Sequence, residues 1–345
     1  MMAPTHSRPV EIVGGGLAGL GLALGLRQQG VPVILHEAGR YPRHRVCGEF
    51  ITSLDAATME QLALGPHLRD ARPASRVTWF HGAHAQHTQT LPTPALCLSR
   101  HLLDRRLAQA AMTAGVQLQE GSRVSRQPAD GVVFTRGRRP DPSSRWMGLK
   151  QHFRGLRLVD DLELHLGQRA YVGLTRIADD RVNVCGLFSR GPAGSGAASA
   201  KSLDPFLRRA GLAALADRIA AAQPDPLSFC AVAGLSYAPP AVTTDGLSLG
   251  DHFALIPPFT GNGMTVAWQS AALALPHLVA WSRGESSWGK TTAEIRADLT
   301  RVLGPRLARA RRLHPFLLHP IAQSLLVSAA RLNLVPSDRL YRLLH

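Results

Sequence analysis

The sequence predicts an α/β protein with two lobes, one built on a parallel sheet and one on an antiparallel sheet, followed by C-terminal helices. Three observations support this fold class. Residues 10–37 read as a strand, a glycine-rich turn, a helix and a second strand. Residues 159–188 alternate short apolar runs with turn residues, which is typical of antiparallel strands. Residues 291–345 are basic and carry leucines at helical spacing.

The glycine-rich turn carries the pattern G-x-G-x-x-G, formed by Gly14, Gly16 and Gly19. In a Rossmann-like unit the first glycine makes the tight turn, the second lets a pyrophosphate approach the backbone, and the third lets the helix pack on the strand. Leu17 and Ala18 open the helix, whose free N–H groups and macrodipole favour an anion. The turn therefore predicts dinucleotide binding.

Glu37 ends the second strand, about 20 residues after the turn. A carboxylate at this place binds a ribose hydroxyl, whereas an arginine would favour a 2′-phosphate. Glu37 therefore disfavours NADP at this site, but it does not separate FAD from NAD.

Composition limits the class of partner. The 345 residues have a net charge of +15, which favours anionic partners such as cofactor phosphates or an anionic membrane surface. The sequence has no nucleic-acid-binding module, so we expect no nucleic-acid partner. The four cysteines are widely spread and read as reduced thiols, and the first strand leaves no room for a signal peptide. With no apolar run near ~20 residues, we expect a cytoplasmic protein that at most touches a membrane from outside.

Further elements follow along the chain. The sequence predicts strands at 76–80, 88–98, 116–118, 132–134 and 227–235, and helices at 99–114, 203–210, 213–222 and 265–280. His81, His84 and His87 are spaced by three, but they fall in a predicted hairpin, where they would not converge. We expect no metal site.

Two loops carry unusual residues. The first is Arg45-Val46-Cys47-Gly48-Glu49, which has no obvious packing role. The second follows the strand that ends in Gly250-Asp251 and contains Pro258, Gly261, Asn262, Gly263 and Met264 before a long helix. Its glycines permit close backbone approach to a ligand at the start of that helix.

Together these motifs resemble the FAD-dependent oxidoreductases with the glutathione-reductase-like fold, in particular the group of geranylgeranyl reductases, flavoprotein dehydrogenases and aromatic hydroxylases. The resemblance covers residues 10–115 and 246–282, and it implies FAD as the dinucleotide. It implies that Asp251 meets the ribityl and diphosphate groups, that the 257–264 loop lies against the pyrimidine edge, and that the Cys-Gly loop lies beside the isoalloxazine. Arg100 matches an arginine that contacts FAD in the family.

The chain departs from the family in two regions. The strand that usually ends in a Gly-Ala-Asp-Gly signature is replaced by a shortened region, in which Asp130-Gly131 precedes a strand. This leaves the use of NADPH or NADH uncertain. The sheet within residues 150–245 matches only in outline, so the identity of the substrate does not carry over.

Cys47 and Glu49 are the candidate catalytic residues. The thiol could donate a proton or shape the substrate face, with its pKa lowered by Arg43 and Arg45, or it could be a small buried hydrophobe. Glu49 could be a general acid or base, or it could pair with Arg45, which is the favoured interpretation. Trp79, Phe80, Trp146, Phe153 and Tyr171 are candidates for the pocket lining.

The predicted domains are interleaved in sequence. The FAD-binding domain comprises residues 1–60, 96–150 and 246–290, the substrate domain 61–95 and 151–245, and the C-terminal helical region 291–345. The resemblance implies an FAD-dependent oxidoreductase that acts on a lipophilic small molecule, either aromatic or polyketide-like or isoprenoid. We expect it to act by flavin-mediated hydroxylation or by reduction or dehydrogenation of a carbon–carbon bond. The alternative is a flavin electron-transfer protein with a redox protein partner. The basic C-terminal helices suggest peripheral membrane contact.

Overall fold

The computed structural model describes residues 7–190, 202–238 and 246–332, together with Tyr341 and Leu344. Within these ranges the strands form two sheets, one of five strands and one of eight. The helices are α1 (Leu17–Gln28), α2 (Ala56–Gln61), α3 (Gly65–Leu68), α4 (Arg100–Thr113), α5 (Asp204–Arg209), α6 (Ala213–Ala220), α7 (Gly263–Ser282), α8 (Trp288–Leu318) and α9 (Pro320–Arg331).

The first sheet is parallel and contains the opening unit. Its strand order is β13-β7-β1-β2-β6, and Val10 of the central strand pairs with Val33 of its neighbour. Because parallel strands are buried on both faces, their sequences are nearly continuous apolar runs. The strands are β1 (Val10–Val13), β2 (Val33–Glu37), β6 (Gln117–Glu120), β7 (Val132–Phe134) and β13 (Leu247–Ser248).

Helix α1 packs between this sheet and α7 because its small residues allow close contact. A Cβ atom added to Gly21 would lie 2.9 Å from the Trp268 ring, and one added to Gly25 would lie 3.0 Å from Leu275. All residues from Leu17 to Leu26 are buried. The contact therefore fixes the N-terminal end of α1 relative to α7, whose own N-terminus follows the second glycine loop.

The second sheet is mixed rather than fully antiparallel, which corrects the expectation. Its strand order is β12-β8-β11-β10-β9-β4-β5-β3, and the pairing of β4 with β9 is parallel. These two strands belong to segments separated by α4 and part of the first sheet, so no hairpin forces them to run in opposite directions. The strands are β3 (Phe50–Ile51), β4 (Arg72–His81), β5 (His84–Cys97), β8 (Trp146–Arg154), β9 (Leu162–Gly167), β10 (Ala170–Arg176), β11 (Arg181–Ser189) and β12 (Gln223–Ala233).

Strand β8 was not predicted, although it lies inside the large sheet between β11 and β12. Met147, Leu149 and Phe153 lie on one face in a core shared with α5 and α6. The alternate positions, which include Lys150 and His152, face the other way and are fully buried. Charged residues at buried positions mask the apolar alternation that identifies a strand.

The C-terminal helices pack against both sheets. Leu299, Leu303 and Leu307 of α8 are buried in the core around α1 and α7, whereas Leu317 and Val327 contact the cluster on the large sheet. In the part of the chain that the structure describes, no helix is both long and apolar enough to span a bilayer. The division of the chain into three domains remains a prediction.

Candidate functional site

A cavity of about 1110 Å³ lies between the two sheets. Its wall brings together the motifs that are far apart in sequence. Of the predicted site residues, Gly19, Glu49 and Asn262 are not part of the wall. Those that line it are Gly14, Gly16, Leu17, Ala18, Glu37, Arg45, Cys47, Gly48, Arg100, Asp251, Pro258, Gly261, Gly263 and Met264.

The three glycines of the turn at one end of the cavity have different surroundings. Gly14 has φ +119°, and a Cβ there would lie 2.3 Å from the Thr135 carbonyl oxygen. A Cβ on Gly19 would lie 2.1 Å from the Gly14 carbonyl oxygen, so this glycine serves the packing of α1 on the turn. The corresponding position on Gly16 has no atom within 4 Å. Because α1 has no side-chain cap, its first N–H groups and this open space fit an approaching pyrophosphate.

Glu37 holds the turn against the end of β2. Its carboxylate accepts hydrogen bonds from the backbone N–H groups of Gly15 and Gly39, both at 2.8 Å, and from the Arg43 guanidinium at 2.6 Å. The Tyr41 hydroxyl donates to the Gly15 carbonyl. Glu37 lines the cavity while making these bonds. Its contact with a ribose hydroxyl stays a prediction.

Asp104 joins two arginines at the cavity wall and was missed as a site residue. Its carboxylate is fully buried and accepts from Arg100 Nε at 2.8 Å, Arg100 Nη2 at 3.0 Å and Arg45 Nε at 3.0 Å. The i,i+4 spacing of Arg100 and Asp104 on α4 was the available signal. The pair of fixed guanidinium groups fits the phosphates of a dinucleotide.

Asp251 lies on the cavity wall in a 3-10 turn at Gly250–His252. Burial raises its pKa to about 6, against the opposing effect of Arg100, Arg45 and Arg138. The Nη1 atom of Arg138 is buried and has no hydrogen-bond partner among the residues described. Sequence reasoning missed Arg138 because it treated the segment after β7 as a shortened region. An unpartnered donor beside this wall favours an anionic ligand.

The loop before α7 also lines the cavity. Gly261 has φ +70°, and a Cβ there would lie 2.3 Å from the Phe50 ring, so only glycine fits. Asn262 is fully buried and serves the fold, because Thr52 Oγ1 donates to its Oδ1 at 2.6 Å and its Nδ2 donates to the Leu344 carbonyl at 2.6 Å. Helix α7 begins at Gly263, so a second helix N-terminus is directed at the cavity.

Cys47 lines the cavity, but the predicted lowering of its pKa is wrong. Burial raises the pKa of the thiol, and Arg100 opposes that rise. The two arginines expected to activate the thiol are engaged elsewhere, since Arg43 pairs with Glu37 and Arg45 with Asp104. At neutral pH the thiol therefore keeps its proton.

Glu49 does not pair with Arg45, contrary to the favoured interpretation. The Glu49 carboxylate is fully buried, and its Oε2 atom lies 2.6 Å from His152 Nε2. Its Oε1 atom lies 3.3 Å from Lys150 Nζ and accepts a hydrogen bond from the backbone N–H of Arg100 at 2.9 Å. Its φ of +58° is in the left-handed region, which a non-glycine residue rarely adopts. The two partners on β8 hold its pKa below the ordinary value although burial acts in the opposite direction.

The inner part of the cavity is mainly apolar and aromatic. Tyr171 lines it as predicted, whereas Phe80 and Phe153 are buried outside it. Burial raises the pKa of both Tyr171 and Tyr237, so both phenols keep their protons. The residues that line this inner part are Leu164, Tyr171, Leu187, Val232, Leu235, Tyr237 and Phe259.

No group of three or more His, Cys, Asp or Glu side chains is placed to hold a metal ion within the described ranges. The residues of the wall instead fit FAD. The N-terminus of α1 and the pair of arginines fixed by Asp104 provide donors for the diphosphate, and the open space at Gly16 lets the diphosphate approach. The N-terminus of α7 provides further donors, and Asp251 provides an acceptor for hydroxyl groups.

Comparison with known proteins supports this assignment. Residues 7–143 match the family model described as FAD binding domain. Curated protein sequences give no match. The fold is similar to that of the Klebsiella pneumoniae protein HpxO in its crystal structure with FAD and uric acid, with a TM-score of 0.78 and 15% identity over 98% of this chain and 95% of HpxO.

Two other solved structures share the fold. One is Pseudomonas aeruginosa PqsL in complex with 2-aminobenzoylacetate, with a TM-score of 0.70 and 18% identity over 91% of this chain and 97% of PqsL. The other is the flavin-dependent brominase Bmp2, with a TM-score of 0.74 and 17% identity over 99% of this chain and 93% of Bmp2. The match to an FAD binding domain confirms FAD as the predicted cofactor. Residues 7–143 are thus similar to an FAD-binding domain, and over nearly its whole length the chain shares the fold of these three solved structures.

Proposed function

We propose that this protein hydroxylates a lipophilic, aromatic small molecule in the inner part of the cavity. The observation that carries the proposal is the continuity of the cavity, which runs from the phosphate-binding end of α1 to a chamber lined by Leu164, Leu187, Leu235 and Phe259. An apolar chamber excludes water from a reactive centre and favours an apolar substrate. HpxO, which binds uric acid, and PqsL, which binds 2-aminobenzoylacetate, have the same fold.

Different residues along the cavity would bind different parts of FAD and the substrate. When bound, FAD supplies two-electron redox chemistry and reaction with oxygen. The start of α1, with Arg45 and Arg100, would hold the diphosphate, and Asp251 the ribityl chain. The N-terminus of α7 would stabilise negative charge on the pyrimidine side of the ring. Tyr171 and Tyr237, which keep their protons, would donate hydrogen bonds to the substrate.

A second candidate function is the reduction or dehydrogenation of a carbon–carbon bond. The position of Cys47 favours this function. Its thiol lines the cavity and keeps its proton because burial raises its pKa. Such a group can act as a proton donor at neutral pH. A flavin electron-transfer protein with a separate redox partner is the remaining alternative, and the electron donor can be NADPH, NADH or that partner.

The test is a reduction experiment under nitrogen followed by exposure to labelled oxygen. We expect NADPH or NADH to bleach the flavin, and we expect aromatic substrates to yield a product that contains ¹⁸O when ¹⁸O₂ is admitted. A product that gains two hydrogens without oxygen would support the reductase. Reduction by dithionite alone, with no turnover of small molecules, would support the electron-transfer alternative. C47A should leave ¹⁸O incorporation intact if hydroxylation is correct.

We also propose that the C-terminal helices contact an anionic lipid surface. Between Leu299 and Leu332 the chain has six arginines and neither aspartate nor glutamate. Large apolar side chains are exposed in the same region, with Phe316 at 61%, Ile321 and Leu325 at 67% and Leu332 at 69%. Ile321 and Leu325 share one face of α9, since they are separated by four residues, and Leu332 follows directly after the helix. Exposed apolar residues beside basic ones fit an anionic bilayer interface.

The corresponding test is co-sedimentation with vesicles. We expect the protein to bind vesicles that contain phosphatidylserine and to bind those of pure phosphatidylcholine weakly. I321E/L325E should abolish binding without changing the flavin spectrum, and V159E, at an exposed valine distant in sequence, is the control. Equal binding of the wild type and I321E/L325E would contradict the proposal.

A further inference from the structure

A buried network beneath the cavity connects the loop that carries Cys47 to strand β8. Lys150 Nζ lies 3.3 Å from Glu49 Oε1 and 3.1 Å from His44 Nδ1. Glu49, Lys150 and His152 are all fully buried, while His44 lines the cavity. Burying an ion pair costs desolvation energy that the attraction within the pair seldom exceeds. A lysine in such a place therefore suggests a role beyond stability.

The contact with Lys150 determines the tautomer of His44. An ammonium group has only donors, so His44 Nδ1 must be the acceptor, and a neutral imidazole with a bare Nδ1 carries its proton on Nε2. The ring is held from its other sides by stacking on His101, with 4.3 Å between centroids, and by an edge contact with His152 at 5.2 Å. Lys150 thus fixes both the place and the donor atom of His44.

We propose that Lys150 is a positioning residue that presents His44 to the bound FAD as a neutral hydrogen-bond donor. The ion pair with Glu49 keeps the ammonium in place, and the ammonium keeps a second proton off the imidazole. The inference rests on FAD binding and not on the proposed hydroxylation, so failure of the hydroxylation assay leaves it unaffected.

The electrostatic surroundings of His44 agree with this role. Burial, together with Lys150, His101 and His152, lowers the pKa of His44 to about 4 against the opposing effect of Glu49. These groups come from β8, from α4 and from the histidine's own loop. Apart from Glu49, every ionisable neighbour acts against a positive charge on His44.

The primary test is NMR of the FAD-bound protein with ¹⁵N-labelled histidine, with H44Q used to assign the His44 signals. We expect the wild type to show Nε2-protonated His44 that titrates well below pH 6. K150M should raise its pKa by about one unit or more and loosen the tautomer preference. K290M, which removes an exposed lysine of α8, is the matched control and should behave as the wild type.

A second readout is the dissociation constant of FAD between pH 5 and pH 8. We expect little pH dependence from His44 in the wild type, whereas in K150M the affinity for the anionic cofactor should increase below pH 6 as His44 becomes charged. If K150M does not fold, E49Q/K150M removes both charges together and should raise the pKa of His44 by a smaller amount, because Glu49 acts in the opposite direction to Lys150. An unchanged His44 pKa in the folded variant, or an Nδ1-protonated ring in the wild type, would overturn the proposal.

Discussion

Asp104 is the residue on which the two arginines of the cavity wall depend. Its buried carboxylate accepts from both Arg45 and Arg100, and the two cations would repel each other without it. Removing one partner of a buried charge network leaves uncompensated charge, which costs about 3–5 kcal/mol. We expect D104N to lower the free energy of unfolding in urea by roughly this amount and to weaken FAD binding.

The control for this prediction is Asp217, which pairs with Arg208 at 2.7 Å on the surface. D217N should hardly change the unfolding midpoint, because exposed pairs are screened by solvent. If D104N and D217N unfolded at the same urea concentration, the buried carboxylate would not organise the wall.

A substitution at Gly16 can test cofactor binding without disturbing the fold. Its backbone is ordinary for any residue, with φ −84°, and a Cβ there would meet no protein atom within 4 Å. We therefore expect G16A to leave the melting temperature of the apoprotein nearly unchanged and to weaken FAD binding at least about tenfold, since the methyl group would occupy the approach to the diphosphate.

Two other glycines provide the comparison for G16A. G14A should destabilise the apoprotein itself, because φ is +119° and the Thr135 carbonyl is 2.3 Å from the new atom. G289A, also in open space but at the start of α8, should affect neither FAD binding nor melting. Equal FAD affinity of G16A and wild type, measured by fluorescence titration, would refute the assignment of the turn.

Residue identities were easier to predict than residue partners. The glycines, Arg45, Arg100 and Asp251 were found from local motifs, and all of them except Gly19 line one cavity. The environments of Cys47 and Glu49 were predicted wrongly, because their neighbours in sequence are not their neighbours in space. Lys150 lies 101 positions after Glu49, and nothing in the local sequence of the loop indicates that contact.

At the scale of elements, the contact between α8 and the large sheet contains a buried histidine. His314 is surrounded by Tyr171, Tyr237 and Phe259, with ring centroids at 6.0, 4.8 and 6.1 Å. Burial lowers its pKa from the ordinary 6.5 to about 4. Because the unfolded chain then binds a proton that the folded chain does not, stability is retained above about pH 6.5 and lost as the pH falls towards 4.

We expect the free energy of unfolding to decrease between pH 7 and pH 4 by up to about 3 kcal/mol from His314 alone. H314F, which suits the aromatic surroundings, should reduce this slope in urea titrations at several pH values. Part of the slope should remain, since the pKa of His44 is lowered to a similar value. H84F, at an exposed histidine of β5, should keep the full slope, and an unchanged slope in H314F would contradict the prediction.

The elements themselves were mostly predictable, with one informative exception. Helix α4 begins after Ser99 and is capped by Ala114, which are the predicted ends, because an N-cap serine and a regular apolar stripe are local signals. Strand β8 was missed because the face opposite its apolar core carries the buried residues Lys150 and His152. The residues that interrupt the apolar alternation of β8 are the same residues that form the buried network.

At the scale of the whole molecule, the parallel sheet followed from the opening unit, but the topology of the large sheet did not. The parallel sheet and the position of the glycine turn follow from general rules for such units. The parallel pairing of β4 with β9 depends on contacts across more than 80 residues, which no local pattern encodes. The large sheet supplies Leu164, Tyr171 and Leu187 to the cavity wall. The size of the cavity and most of its apolar lining were therefore not predictable.

Because the cavity lies between the two sheets, FAD should stabilise them together. Its wall includes Gly16 and Glu37 from the parallel-sheet side and Gly173 and Leu187 from the large sheet. A ligand that binds only the folded state adds about 2.7 kcal/mol at a concentration of one hundred times its dissociation constant. We expect saturating FAD to raise the melting temperature by several degrees and to slow hydrogen exchange in both β1 and β11. Riboflavin, which lacks the diphosphate and adenosine, should stabilise less. Protection confined to β1 would show that the cofactor does not bridge the sheets.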